Sequence, residues 1–351
     1  MKCTILSAIV FLVASIFYGA SYAIVDMGLK YFSAGVFQAF RMFFGLCFSS
    51  LILLARYIIN KNGYRQTVRA HFTSGWMPIL HLVIGGLMNL GVSHCLIAVA
   101  QQWVNSASVQ MMQPFATAAG AIFAHFALPD EKFTMIKLYS VLLSAVGVVL
   151  TGIPSFLHSG DTGASIGNMA LGYFLVIISI CMFGIATVYF KWKTPNCDVT
   201  CGVVVQLIAS VVWNIIWALC FDGPSNIKRM LVEAPPIAWA WPVIVGCLVS
   251  GVAVHCLLYL VTALGSFGSN LVPFGQIVVG VITGVAFMGD WDNYTWWEIL
   301  LCCLGCVFLI GSLVVGFFDK NQGPKGDEDN KEEEEEHKEE PRREDEELEE
   351  L

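Results

Sequence analysis

The sequence predicts an all-α polytopic membrane protein: ten transmembrane helices in two inverted five-helix repeats. Three observations carry this expectation. Apolar runs of about twenty residues, nearly free of charge, follow one another through the chain, and that is the length a helix needs to cross a bilayer's hydrocarbon. Lys and Arg are shared unevenly between alternate loops. The second half also repeats landmarks of the first in the same order.

Composition agrees. Apolar residues make up 56% of the 351 and charged residues only 13%, too few to cover a soluble protein of this length. Continuous apolar runs indicate helices, because barrel strands would alternate residue by residue. The ten spans fall near 5–26, 34–58, 77–99, 104–128, 134–153, 168–190, 202–220, 239–261, 266–288 and 295–317. The first is too long for the 7–15-residue core of a signal peptide and is expected to remain as a helix.

With the N-terminus cytoplasmic, inward segments hold nine Lys or Arg and outward segments three. Ten spans then return the C-terminus to the cytoplasm. The plasma membrane is the default location, with an endomembrane as the alternative. The net charge of −8 belongs to the tail: residues 319–351 carry 17 acids and 6 bases, leaving +3 on the rest. This tail is too polar and too charged to fold alone and is expected to be disordered. Twelve cysteines are scattered through the chain, mostly as small apolar residues within the spans. Cys197 and Cys201 have ligand-like spacing but lack a second pair, so no metal and no cofactor are expected.

The internal repeat pairs His94 with His255, Pro114-Phe115 with Pro273-Phe274, Glu131 with Asp290, Gly152 with Gly311, and Gly19 with Gly184. A five-span unit has an odd number of crossings, so its second copy must be inverted. This divides the chain into a first repeat (1–153), an outward loop (154–167), a second repeat (168–318) and the acidic tail (319–351).

In such an architecture ligands bind at mid-membrane, where the repeats meet. Polar groups inside spans are the candidate contacts, since an unsatisfied one there is costly. These are Tyr18, Tyr22, Arg41, Asn89, Gln110, Gln113, Asn270 and Gln276. Pro114 and Pro273 are expected to bend their helices and provide gating points. His94 and His255 are candidates for proton coupling, with hydrogen bonding across a helix interface as the alternative. Asp26 either joins them or pairs with Lys30 one turn on. Gly85, Gly86, Gly91 and Gly120 suggest close packing of the third and fourth spans. Trp239 and Trp241 read as interface anchors. No paired aspartates, nucleophile arrangement, Walker loop or filter repeat suggests an enzyme, a pump or a channel.

Three stretches resemble the drug/metabolite transporter superfamily, specifically its EamA-like family. They are FYGASYAIVDMGLKYFSAGVFQAFRMFFG, IAVAQQWVNSASVQMMQPFATAAGAIFAHFALPDEKF and TALGSFGSNLVPFGQIVVGVITGVAFMGDWDNY. The likeness covers about 5–317. It rests on Arg41 in the second span, on Ser106, Ala107, Pro114 and Glu131, and on Ser266, Pro273 and Asp290. Departures are Tyr18 where Trp is common, Asp290 in place of Glu, and no evident counterpart of Arg41 in the seventh span. The basic residues that relatives use for phosphorylated sugars are also absent. The resemblance implies a secondary carrier of a small organic solute working by alternating access, with proton coupling open. Its partners would be the solute and the lipid bilayer, with a homodimer and a cytosolic partner of the tail also open, and no nucleic acid. A non-transporting scaffold or receptor acting through the acidic tail is the alternative.

Overall fold

A computed structural model describes residues 5–59, 75–104, 106–129, 133–158, 166–283 and 294–317. Glu131, Asp290 and the acidic tail lie outside these residues. Among them, eight helices are long and apolar enough to cross a membrane: α1 (Ile5–Leu29), α2 (Ala34–Ile59), α3 (Trp76–Ala100), and five more. The fourth segment is broken into α4 (Ser106–Met111) and α5 (Phe115–Ala127). There follow α6 (Met135–His158), α7 (Ile166–Lys193), α8 (Val199–Asp222) and a short amphipathic helix, α9 (Pro224–Glu233). The last three are α10 (Pro236–Gly265), α11 (Val272–Thr283) and α12 (Trp296–Phe317). The result is an all-α polytopic membrane protein.

Two expected continuous spans are interrupted, and the chemistry of each break explains why. Pro114 has no N–H, so the chain tightens ahead of α5: Gln113 N donates to Gln110 O (3.1 Å) and Phe115 N to Met112 O (3.1 Å). In the second case Gly265 turns the chain at φ 80°, a conformation glycine adopts without a Cβ penalty. A turn at 270–271 then leads into α11, whose second residue is Pro273. Both prolines therefore open the second piece of a broken helix, where a missing N–H is harmless. Neither lies mid-helix.

Packing pairs distant parts of the sequence. Helix α1 lies on α11 and α7 lies on α5, while α2 and α8 pack together, as do α6 and α12. Close approaches need glycine. A Cβ on Gly86 would meet the Gln206 backbone on α8 at 2.5 Å, and one on Gly246 would meet the Arg41 carbonyl on α2 at the same distance. Gly86 and Gly91 of the third span thus seat α8, Gly85 faces Tyr189 of α7, and Gly120 faces Gly184 and Asn270; packing between the third and fourth spans does not explain them. Helix α3 contains a π-helical turn at Leu87–Gly91, and α10 contains one at Val245–Ala253.

Further differences are local. Helix α6 continues through Pro154 to His158, shortening the expected loop. Trp239 is held edge-on by Phe32 and Phe40, at 5.2 and 4.9 Å between centroids, so it packs within the protein. Asp198, inside the Cys197–Cys201 segment, is the N-cap of α8 and accepts from Thr200 N and Cys201 N. Burial pushes the Cys197 thiol up to about 12, so it stays protonated at neutral pH.

Candidate functional site

A narrow cleft lies between α1, α3, α7 and the two broken helices. Its walls are Tyr18 and Tyr22 of α1, Ser93, His94 and Ile97 of α3, Gln113 before α5, Ser179 and Phe183 of α7, and Gln276 of α11. Its free volume is about 10 Å³, the space of a single water, so the protein is closed around it. The structure thus brings together Tyr18, Tyr22, His94, Gln113 and Gln276 from the expected set.

Phe183 and Ser179 were not anticipated from the sequence. The signal for Phe183 was present, because Tyr18-Gly19 and Phe183-Gly184 are the same pattern. The two rings meet edge to face, with centroids 6.2 Å apart. Ser179 Oγ donates to Ser93 O at 2.7 Å and ties α7 to α3.

Helical geometry positions the cleft's polar groups. The π turn in α3 places Asn89 O where both Ser93 Oγ (2.7 Å) and His94 Nδ1 (3.1 Å) reach it. His94 is thereby fixed on the cleft wall. His255 forms a similar bond from Nδ1 to Gly251 O (2.7 Å), after the π segment of α10, but it does not line the cleft. Asp26 sits half-buried in the last turn of α1, within electrostatic reach of exposed Lys30 and away from the cleft.

Gln110 and Asn270 form a clasp beside the cleft. Gln110 Nε2 donates to Gly19 O (2.8 Å) and Gln276 O (3.0 Å). Asn270 Nδ2 donates to Gly184 O (3.4 Å), its Oδ1 accepts from Thr187 Oγ1 (2.9 Å), and its carbonyl accepts from Thr117 Oγ1. These amides hold backbone at the crossings of the broken helices. Asn89 points towards α8, with Nδ2 on Gln206 Oε1 at 3.2 Å.

Arg41 is 2% exposed. Its Nε donates to Ser250 Oγ on α10 (3.0 Å) and its Nη1 to Gln38 Oε1 (3.4 Å). Its Nη2 has no partner, and Tyr18, Tyr22 and His94 all lie within the reach of its charge. Gln113 Nε2, Gln276 Nε2 and the Tyr18 hydroxyl are likewise buried without partners. Of these four, Tyr18, Gln113 and Gln276 line the cleft, whereas Arg41 stands outside its wall. No group of three or more His, Cys, Asp or Glu residues suited to a metal ion occurs among the described residues.

Comparison with known proteins bears on the fold. One crystal structure, 15% identical, matches over 88% of this chain and 96% of its own with a TM-score of 0.61, which establishes a shared fold. No curated protein matches the sequence. Residues 5–153 match the model of the EamA-like transporter family, so this part of the chain is similar to that family.

Proposed function

We propose that the protein is a secondary carrier of a small organic solute, working by alternating access between two inverted five-helix repeats. One observation carries this reading: the packing is reciprocal. Helix α1 lies on the broken helix of the second half, and α7 lies on the broken helix of the first. Gly19 and Gly184 stand at corresponding points of these two crossings, against Gln276 O and Ala116 O. Such reciprocity is what a two-fold axis in the membrane plane produces. Counting each broken segment as one crossing brings the eight long helices to ten.

The closed cleft lies where the halves meet, and the breaks beside it supply the joints. Rocking one half against the other would open the cleft to alternate sides, with the clasps at Gln110 and Asn270 loosening in turn. His94, on the cleft wall, is placed to couple a proton to the solute. The N-terminus is cytoplasmic in this scheme, and the acidic tail lies on the same side.

The test is solute flux in proteoliposomes containing the purified chain, compared with the chain lacking residues 319–351. Retained flux without the tail is expected. Absence of flux for any solute, together with loss of a bound cytosolic partner on removing the tail, would overturn the reading in favour of a scaffold.

A further inference from the structure

Arg41 and Gln206 occupy corresponding positions in the two halves. They are 165 residues apart, the separation that also relates Tyr18 to Phe183 and Gly19 to Gly184. Their surroundings correspond as well. Gly246 of α10 packs on the backbone of Arg41, and Gly86 of α3 packs on that of Gln206. Arg41 Nε bonds Ser250 on α10, and Gln206 Oε1 accepts from Asn89 on α3. The bond between helices that Arg41 makes is therefore made in the other half by a neutral amide. Packing does not require a charge at this position.

Yet a charge is there, buried in the membrane interior. Among the described residues it has no carboxylate partner, and one of its nitrogens has no partner at all. An uncompensated ion in such a place costs several kcal/mol. Two of the three orphans on the cleft wall, Gln113 Nε2 and Gln276 Nε2, are N–H donors, and the third, the Tyr18 hydroxyl, can also donate. A site with surplus donors and one positive charge is complementary to an acceptor-rich anion.

We propose that the solute is an organic monoanion whose carboxylate docks on Arg41 Nη2 and the amides of Gln113 and Gln276, a refinement that rests on the carrier reading. A single cation balances one negative charge, whereas a phosphate dianion would leave a net charge in the membrane. Tyr18, Tyr22 and Phe183 supply aromatic surface for the apolar body of the solute. Arg41 is permanently charged, and with Nε on Ser250 and Nη1 on Gln38 its Nη2 is the nitrogen left to meet a carboxylate. The bond to Ser250 keeps the guanidinium oriented while the solute comes and goes.

The experiment measures thermal stabilisation of the purified full chain by benzoate, pyruvate and phenyllactate, each beside its uncharged amide. Phenylphosphate and phenyltrimethylammonium serve as dianion and cation. At least one carboxylate should raise the melting temperature where its amide and the cation do not. Arg41→Gln should weaken that carboxylate's binding at least tenfold, and Arg41→Lys should retain part of it. Stabilisation by an amide or the cation that persists in Arg41→Gln would overturn the proposal, as would silence of every carboxylate on the wild-type chain. Should Arg41→Gln fail to fold, the comparison of acid with amide on the wild-type chain decides, with Gln113→Leu as the second variant. Flux of the same probes in proteoliposomes separates the two readings. Carboxylate binding without flux would sink the carrier and leave the anion site. Flux of a neutral solute, independent of Arg41, would do the reverse.

Discussion

Among single residues, the buried amides divide into two groups that the sequence presents alike. Gln110 and Asn270 bond backbone carbonyls at the helix crossings, whereas Gln113 and Gln276 each turn an unpartnered nitrogen towards the cleft. Replacing Asn270 with Leu removes its bonds to Gly184 O and Thr187 Oγ1, which keep each other at 2.8 Å, and should lower stability by about 0.5–1.5 kcal/mol. Gln113→Leu strands nothing at its Nε2 and should leave the melting temperature within a few degrees while weakening solute binding. Melting curves and binding isotherms of the two variants check this, and equal destabilisation would refute the division. All four stood out in the sequence because amides are rare in lipid. Which of them hold backbone could not be read there, since their partners lie up to 166 residues away.

For the helices, caps and close approaches are the features with the clearest energetic consequences. Asp198 accepts two N–H groups at the start of α8 and also pairs with Arg56 at 3.1 Å. Asp198→Ala should cost about 1 kcal/mol, mostly from the lost cap, because Arg56 is largely exposed. Adding salt should change the wild-type chain little, whereas a large salt effect on its unfolding would show that the ion pair dominates. Gly246→Ala sets a methyl against the Arg41 carbonyl and must push α2 away from α10. A loss of about 1–3 kcal/mol is expected, visible as a lowered melting temperature. Helix lengths were legible from apolar runs, but the breaks before α5 and α11 were only hinted at by the prolines. A proline inside an apolar run fits either a kink or a restart, and the backbone turns at 112–114 and at 265 resolve that choice.

For the molecule as a whole, the reciprocal arrangement makes proton coupling testable through its own asymmetry. His94 lines the cleft and His255 does not, although they correspond in sequence. If protons are coupled through the cleft, stimulation of uptake by an inward proton gradient should vanish in His94→Ala and persist in His255→Ala. Equal behaviour of the two variants, measured as uptake with and without the gradient, would remove His94 from that role. The same asymmetry separates Arg41 from Gln206.

The sequence by itself determined the membrane class, most of the helices and the pool of polar candidates. These follow from local composition and spacing, which water and lipid sort without reference to distant contacts. Only the tertiary structure decided which candidates share a cleft, which clasp the backbone, and which bonds Arg41 and Gln206 make between helices. Those facts depend on helices far apart in the chain meeting face to face. A side chain's neighbours in a bundle are set by such crossings, and a list of residues in order does not contain them.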